Sequence, residues 1–469
     1  MVTLDELVAA AARPVRTGPT AFPHAVVDSR EVGPGDLFVA LRGEHTDGHR
    51  FVGDALRRGA GGALVREVPP SVPAGGTVVQ AADPLRTLWA VADRRRQRSP
   101  LRMVAVTGSV GKTTTKEWIA FLLATTFVTF RTAGNRNTEI GLPLDLLELT
   151  GKEGAGVAEL AMRGPGEIRM LASLVRPQVG VITNIGESHI GRLGSREAIA
   201  HAKAELFESL PPDGVAVVPG NEPFAPLLLA SAACDAWTVG EGEDDTVRAR
   251  DVVRGPEGQE FTLEHAGERA RARLRAGGSH HLVNALLAVA AARAVGVPLA
   301  RAAEALEGLE AAPGRGRLVR DEGIWLLDDS YNASPTSLRA ALEVLGQVGG
   351  GRARRTLVFL GEMRELGARS RPMHRESGRM VAQAGVDLLV AVGGEDAQAL
   401  LEGAREGGLQ PDRLLAVADA EEAARVALTH VREGDRVLVK GARAVGMERV
   451  VEVLAQWQPQ APGAEAAGR

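Results

Sequence analysis

Val104-Ala-Val-Thr-Gly-Ser-Val-Gly-Lys-Thr-Thr-Thr-Lys-Glu117 is the stretch from which the fold is read. The apolar, β-rich run Met103 to Thr107 predicts a strand, Gly108 and Gly111 end it, and a helix-like run starts at Lys112. A strand, a glycine turn and a helix N-terminus in that order make an anion site. Glycines let backbone N–H groups curl around phosphate oxygens, the helix dipole favours negative charge there, and Lys112 adds a point charge. Thr113 offers a hydroxyl where the Mg²⁺ of a bound nucleotide would be held. The spacing is G-x-x-G-K-T, with Val106 where the longer form of this loop has its first glycine. The expectation is a nucleotide-phosphate loop, and the alternative is a glycine turn with a solvated lysine.

The rest of the composition fits an enzyme. A length of 469 residues suggests about three domains. The formal net charge of −4 gives no electrostatic case for nucleic acid or an anionic membrane. Cys234 is the single cysteine, so no disulfide framework or cysteine metal site is expected. Met1-Val-Thr-Leu-Asp-Glu-Leu7 lacks a basic region followed by an apolar core. No apolar stretch approaches the ~20 residues of a membrane span. A cytoplasmic protein without stable membrane insertion is expected. Lysine is rare beside arginine, at only Lys112, Lys116, Lys152, Lys203 and Lys440. A lysine in such a chain can mark a place where guanidinium will not serve; Lys116 and Lys152 could equally be ordinary surface charges.

Three segments follow from the pattern. The first, about 1–83, carries short strands at His24–Asp28, Asp36–Leu41 and Ala63–Arg66 and a short helix near Phe51–Arg58. The second, about 84–312, opens with helical Pro84–Arg98 and then alternates. Its strands are expected at Val157–Ala161, Val179–Asn184 and Val215–Val218, and its helices at Ile168–Leu174 and Arg196–Leu210. Such alternation argues a parallel sheet with crossover helices. Charged, alternating Thr246–Leu274 reads as appended antiparallel strands, followed by Ala-rich helices at His281–Val295 and Leu299–Leu309. Ala312-Pro-Gly-Arg-Gly-Arg317 reads as a linker. The third segment, about 313–458, restarts with strands at Ile324–Asp328, Thr356–Leu360, Leu388–Val392, Leu414–Val417 and Arg436–Val439. It predicts a second open α/β sheet with its site beyond the strand carboxyl ends. The tail, 459–469, has a disordered composition.

Candidate chemistry falls at strand ends. Glu159 lies in the apolar strand Gly156–Met162, where a lone carboxylate is costly unless paired or metal-bound; an edge-strand Glu facing solvent is the alternative. His189 follows the next strand in a loop. Lys203 lies near the apolar side of its helix, one position past Ala202. Desolvation would lower its pKa, and a neutral amine can take up CO₂ to become a carboxylate-like carbamate. Gly134-Asn-Arg-Asn-Thr-Glu-Ile-Gly-Leu-Pro143 offers donors suited to phosphate oxygens, or is simply an Asx-type turn. Asn284, after Gly277-Gly-Ser-His-His281, could read a base edge or cap its helix. Leu327-Asp-Asp-Ser-Tyr-Asn-Ala-Ser-Pro335 leaves two carboxylates and an Asn at a strand end, with Ser334 and Pro335 as N-cap and first helical residue.

Together these motifs resemble the ATP-dependent Mur ligases of peptidoglycan synthesis. The resemblance runs from about Asp28 to Met447. It rests on Thr107–Glu117, Gly134-Asn-x-Asn137, Glu159 with Gly164-Pro-Gly-Glu-Ile168, Thr183-Asn-Ile-Gly186 with His189, and Ala202-Lys-Ala-Glu205. It continues through Asp328-Asp-Ser-Tyr-Asn-Ala333, Gly361-Glu-Met-Arg-Glu-Leu-Gly367 with His374, Lys440-Gly-Ala-Arg443 and Met447-Glu448. Asp28-Ser-Arg30, Pro34–Gly43 and Asp47-Gly-His49 are similar to that family's UDP-sugar-binding domain.

The resemblance implies a three-domain α/β fold: a small mixed α/β domain at 1–83, a central P-loop parallel-sheet ATPase-like domain at 84–312, and a Rossmann-like open sheet at 313–458. It implies UDP-sugar binding by Ser29, Arg30, Gly43 and Asp47. ATP would be held by Gly108, Ser109, Gly111, Lys112, Thr113, Thr114, Asn137, Asn284, Arg315 and Asp329, with Arg317 as the alternative to Arg315. Lys112, Glu159, His189 and Lys203 are the implied catalytic set. Thr113 and Glu159 would hold one Mg²⁺, and His189 with carbamylated Lys203 a second. Asn332, Glu365, His374 and Lys440 would bind an incoming dipeptide.

The implied substrates are ATP, UDP-N-acetylmuramoyl-tripeptide and D-alanyl-D-alanine, handled by a monomer. The Asp-Asn-Pro-Arg string of the family members that add the third amino acid is absent, which favours dipeptide addition. Ala442, Glu362, Thr138 and Arg163 depart from residues common in the family, at positions that bear on substrate detail. The alternatives are a Mur-type ligase adding a different amino acid and a nucleotide-dependent binding module that has lost ligation. The second would be expected to lose Lys203, His189 or Glu159, and all three are present.

Overall fold

The computed structural model describes residues 1–458 except 44–45, 71, 74, 256–257, 322 and 350–353, together with the side chains of 320 and 321. The expected disordered tail, 459–469, lies outside the described residues. Three main sheets follow one another along the chain.

The central sheet has nine strands. In spatial order they are Glu268–Leu274, Gly258–His265, Val247–Gly255, Asp235–Gly240, Val215–Pro219, Val179–Ile182, Arg102–Thr107, Ala155–Glu159 and Thr129–Arg131. The phosphate-loop strand is thus interior, paired in parallel with Ala155–Glu159 on one side and Val179–Ile182 on the other. Val104, Ala105 and Val106 are buried, because helices cover both faces and a parallel strand then reads as a continuous apolar run. Helices Lys112–Ala124 and Ser279–Val295 pack on one face, through Trp118, Ile119, Leu122 and Leu123 against Leu286, Leu287 and Val289. The other face is covered by Pro84–Arg98, Glu167–Val175 and Arg196–Glu208. The three strands within 247–274 pair antiparallel with each other, as expected. Two strands had no expectation: Thr129–Arg131 is three residues long, and Asp235–Gly240 is half-exposed and weakly patterned.

The C-terminal sheet runs Arg317–Asp321, Ile324–Asp329, Arg436–Lys440, Thr356–Gly361, Leu388–Val392, Leu414–Val417. All neighbours are parallel except the first pair. The linker is therefore shorter than expected, since Arg317 already belongs to the antiparallel edge strand. Ser334 caps helix Pro335–Gln347 with Pro335 in its first turn, as read from the sequence.

The N-terminal sheet orders Arg13–Arg16, Thr77–Gln80, Gly62–Val65, Leu37–Val39 and Ala25–Val26, parallel except for its first pair. Helix Leu4–Ala9 escaped the sequence reading, although Thr3 and Glu6 form a capping box whose Thr-x-x-Glu spacing is legible. The helix expected near Phe51–Arg58 is a 3₁₀ turn, Gly48–Phe51, continuing into Val52–Arg57. One apolar cluster runs from Leu7 and Leu37 through Leu88, Leu146 and Ile190 to Leu338, Met363 and Leu366, so all three sheets pack through shared side chains.

Candidate active site

The phosphate loop is shaped by the neighbouring strand. Gly108 (φ +147°) lies so close to Thr183 that a Cβ there would collide with Thr183 Oγ1. Val110 is bracketed by Asn184, its N–H donating to Asn184 Oδ1 and its carbonyl accepting from Asn184 Nδ2, both at 3.0 Å. Thr183 Oγ1 donates to the same carbonyl at 2.6 Å, and Ser109 N–H donates to Asn184 O at 3.0 Å. The helix opens directly at Lys112, so the first-turn N–H groups have no upstream carbonyl within the helix and face the loop's mouth. The sequence motif Thr183–Gly186 does not by itself give Asn184 this role; a side-chain amide at a strand end beside a glycine loop is the available signal.

Two lysines converge on the loop. Lys112 Nζ and Lys203 Nζ each donate to Gly108 O, at 3.0 Å. Burial, and then the charge of Lys112, push Lys203 well below the ordinary lysine pKa, against the pull of Glu159. Burial also lowers Lys112.

Glu159 is 2% exposed. Its Oε2 accepts from Thr113 Oγ1 at 2.7 Å, its Oε1 from Asn137 Nδ2 at 2.8 Å, and its own N–H donates to Thr132 Oγ1 at 3.1 Å. An edge-strand Glu facing solvent is thereby excluded. Lys116, for which a surface role was open, is fully buried.

His189 adopts φ +66° at the start of the turn Ile190–Leu193. Its Nδ1 lies 2.7 Å from Glu365 Oε2 on the C-terminal domain, within ion-pair distance but without hydrogen-bond alignment. His189 holds the Glu365 carboxyl below its ordinary pKa. The same two loops meet again where Gly191 N–H donates to Glu365 O at 3.3 Å.

The C-terminal wall is organised by Asp328, Asp329 and Lys440. Lys440, 1% exposed, pairs with Asp329 and donates to Asn332 O at 3.0 Å, so its ammonium is engaged within the wall. Burial raises the Asp329 pKa despite that partner. Asp328 accepts from Gly314 N–H at 2.8 Å and so fixes the linker. Arg315 then lies over the Tyr331 ring, 4.0 Å from its centroid, with Arg443 also near it at 5.0 Å. Tyr331 is the chain's single tyrosine, and its sequence context alone does not give it this role. Arg315 lines the cleft, whereas Arg317 lines a separate cavity beside Val344 and Val348.

One placement differs from expectation. His374 is fully buried behind the Gly361–Gly367 loop. Its Nε2 accepts from Met363 N–H at 2.8 Å, which leaves the proton on Nδ1 to be donated to Ser370 O at 2.8 Å. With both nitrogens engaged, it braces the loop and is not part of the cleft wall. Asn284 lies in the second turn of Ser279–Val295, facing Gly111, and does not cap the helix.

The phosphate loop, Asn137, Glu159, Asn284, Arg315, Asp329, Asn332 and Glu365 line one cleft of about 480 Å³ between the central and C-terminal sheets. Thr113 and Glu159 are hard oxygen donors at its floor and suit Mg²⁺. Lys203 and His189 lie outside its lining. Among the described residues no three His, Cys, Asp or Glu side chains cluster as a ready metal site, and an unmodified ammonium at Lys203 repels a cation.

Ser29 and Arg30 follow strand Ala25–Val26, and Gly43 and Asp47 follow its parallel neighbour Leu37–Val39, so all four share one end of the N-terminal sheet. Arg30 pairs with Asp28 at 2.6 Å, and Asp47 with Arg42 at 3.1 Å and His49 at 2.6 Å. A cavity of about 170 Å³ between Val26, Val27 and Glu31 and the turn bearing Asn135, Arg136 and Thr138 connects that domain to the central one.

Comparison with known proteins bears on this geometry. Residues 24–84 match the Mur ligase family, catalytic domain; residues 106–292 the Mur ligase middle domain; and residues 314–443 the Mur ligase, glutamate ligase domain. The chain is 34% identical over 436 residues to the UDP-N-acetylmuramoyl-tripeptide–D-alanyl-D-alanine ligase of Bacillus subtilis (strain 168), covering 93% of both chains. The ligase of that name from Escherichia coli (strain K12) is 33% identical over 456 residues, covering 97% of this chain and 98% of the other. The structure is similar to MurF from Acinetobacter baumannii, with a TM-score of 0.85, 33% identity and coverage of 97% and 99%. It is also similar to MurF ligase from Thermotoga maritima in complex with ADP, with a TM-score of 0.79, 29% identity and coverage of 92% and 97%.

Proposed function

The chain belongs to the Mur ligase family, and we propose that it uses ATP to join D-alanyl-D-alanine to UDP-N-acetylmuramoyl-tripeptide, giving the UDP-linked pentapeptide. The observation that carries this reading is one cleft with a phosphate site on one wall and Asn332 and Glu365 on the other. Relatives carrying that activity in their names match over more than nine-tenths of the chain, which supports it.

The reaction has two displacements. A terminal carboxylate oxygen of the tripeptide attacks the γ-phosphorus of ATP, the bond to the bridging oxygen breaks, and ADP leaves. The dipeptide amine then attacks the acyl phosphate carbon. The C–N bond forms, the C–O bond to phosphate breaks with its electron pair, and the nitrogen gives up a proton. Carboxylate and triphosphate repel each other, so the chain's task is positioning and charge neutralisation.

Lys112 and the first-turn N–H groups hold the β- and γ-phosphates. Asn284, Arg315 and Asp329 hold the rest of the nucleotide. Thr113 and Glu159 would hold Mg²⁺, which when bound neutralises phosphate charge. Lys203 is buried beside Lys112, and the neutral amine that burial favours is the form that takes up CO₂. Its carbamate, with His189, would supply ligands for a second Mg²⁺. Ser29, Arg30, Gly43 and Asp47 take the UDP-sugar. Asn332, Glu365 and Lys440, which line the cleft, take the dipeptide, supported by His374 from behind. We assign the enzyme to the cytoplasm because ATP and a UDP-linked precursor are used there, and to the monomeric state because one chain furnishes both cleft walls. No described helix is long and apolar enough to cross a membrane.

Phosphate release tests the reading. Release should require ATP, UDP-linked tripeptide and D-alanyl-D-alanine together; equal turnover with a single amino acid in place of the dipeptide would overturn it.

A further inference from the structure

Lys116 and Asp145 carry charges inside the protein that the ligation reaction does not use. Lys116 lies one turn beyond Thr113 on helix Lys112–Ala124, and its side chain has no exposure. Its ammonium donates to Thr132 O at 2.7 Å and Gly134 O at 3.2 Å and pairs with Glu117 Oε1 at 2.8 Å. Asp145, 4% exposed on helix Gly141–Leu146, approaches the same turn. Its Oδ2 accepts from Ala133 N–H at 2.8 Å and its Oδ1 pairs with Arg136 at 3.2 Å. The carbonyls of 132 and 134 thus point at a cation, and the N–H of 133 between them points at an anion. The peptide joining 132 and 133 is thus held at both ends, its carbonyl by the ammonium and its N–H by the carboxylate, which leaves the turn one orientation.

That turn ends on Glu159 twice. Thr132 Oγ1 accepts from Glu159 N–H, and Asn137 Nδ2 donates to Glu159 Oε1. Asn137 O also accepts from Ala161 N–H at 2.9 Å, on the far side of Glu159. Helix Lys112–Ala124 therefore reaches Glu159 directly through Thr113 and indirectly through Lys116. Neither Lys116 nor Asp145 lines the cleft, so neither can touch substrate. An ammonium, not a guanidinium, suits the position, because two carbonyls and a carboxylate surround one point; this explains a lysine in a chain that otherwise writes arginine.

We propose that Lys116 and Asp145 are positioning residues that clamp the Thr132–Asn137 turn and so hold the Glu159 carboxylate in the geometry that receives the nucleotide-bound cation. The proposal rests on the assignment of Thr113 and Glu159 to Mg²⁺.

The test is calorimetry of ADP binding with Mg²⁺ and with EDTA, beside the Mg²⁺ dependence of phosphate release. Lys116→Met keeps length and volume while removing every donor. It should weaken Mg²⁺–ADP binding about tenfold or more, as loss of a residue supporting a metal ligand does. Binding in EDTA should change by less than about twofold, since phosphate-loop contacts remain. Half-maximal phosphate release should need correspondingly more Mg²⁺, with KM for D-alanyl-D-alanine unchanged. A residue of merely structural importance would lower thermal stability and active fraction without moving the Mg²⁺ requirement. Asp145→Asn, which keeps shape and an acceptor oxygen, should shift the Mg²⁺ requirement the same way by a smaller factor, and it decides the matter if Lys116→Met does not fold. Wild-type Mg²⁺ dependence in the folded variants would overturn the clamp. Failure of the wild type to use D-alanyl-D-alanine would instead refute the proposed function, leaving the ADP result to judge the clamp by itself.

Discussion

Replacing Gly191 by Ala should slow catalysis without loosening the fold. Gly191 lies two residues past His189, where the central domain meets the Glu365–Gly367 backbone of the C-terminal domain. A Cβ there would lie 2.8 Å from Gly367 N, 2.9 Å from Glu365 O and 3.0 Å from the Leu366 carbonyl carbon. All three neighbours are backbone atoms, which cannot rotate aside. Ordinary contact begins at 3.4 Å, so the loops must part by about 0.6 Å, which lengthens the Gly191–Glu365 hydrogen bond and draws Glu365 from His189. Misplacement of reacting groups by about 1 Å costs roughly a hundredfold in rate. The expected fall in kcat is therefore roughly tenfold to hundredfold, about 1.4–2.7 kcal/mol of barrier. Gly191 has no positive φ, so Ala introduces no backbone strain, and Tm should stay within about 2 °C. Steady-state phosphate release should show the loss in kcat with KM for UDP-tripeptide unchanged. Full kcat in a folded Gly191→Ala enzyme would mean that the two loops are not in contact during turnover.

Lys112→Ala should abolish phosphate release while leaving UDP-tripeptide binding nearly intact by calorimetry, because the sugar nucleotide is assigned to the N-terminal sheet; lost binding would contradict that division. Asn332→Ala should raise KM for D-alanyl-D-alanine more than KM for ATP, and a rise confined to ATP would move Asn332 into the nucleotide site. Lys203→Arg should be as damaging as Lys203→Ala, since guanidinium cannot form a carbamate at neutral pH, and a small carboxylic acid should partly restore the Ala variant; near-normal turnover of the Arg variant at low CO₂ would remove the carbamate from the mechanism. Burial holds the Asp145 carboxyl up to about 6, offset by Ala133 N–H and by the charges of Arg136 and Lys116. The native state then keeps a proton that the unfolded chain releases from about pH 4, so Asp145's contribution to stability is full below that pH and declines by about 3 kcal/mol as pH rises through 6. Asp145→Asn should flatten the fall in urea midpoint across that window, and parallel wild-type and variant pH profiles would refute the shift.

The elements legible in the sequence are those whose cause is local. Met103–Thr107 is an unbroken apolar strand, and Gly108 and Gly111 take backbone angles that other residues resist. Ser334 and Pro335 set a helix start within four residues of chain. Strands Leu388–Val392 and Leu414–Val417 match their expected limits because both are apolar runs bounded by polar turns. The pattern failed where an element is too short to show a period, as at Thr129–Arg131, or is held by neighbours, as at Thr77–Gln80 between two other strands.

The residue types of the site were equally local in origin: glycines and a lysine for phosphate, carboxylates at strand ends, an apolar helix carrying Lys203. Their roles were not. Sequence left Lys116 open to a surface role, and only the approach of the turn at 132–134 shows why it is buried. It grouped His374 with the dipeptide ligands, but Met363 and Ser370 occupy both its nitrogens. It could not separate Arg315 from Arg317, since each follows a glycine; the antiparallel edge strand starting at Arg317 turns one away from the cleft that Tyr331 and the other share. Backbone conformation answers to side chains within a few residues, and sequence records those directly. Desolvation, charge pairing and the facing of one loop toward another depend on groups brought together across the chain, and those were fixed only when the three sheets packed.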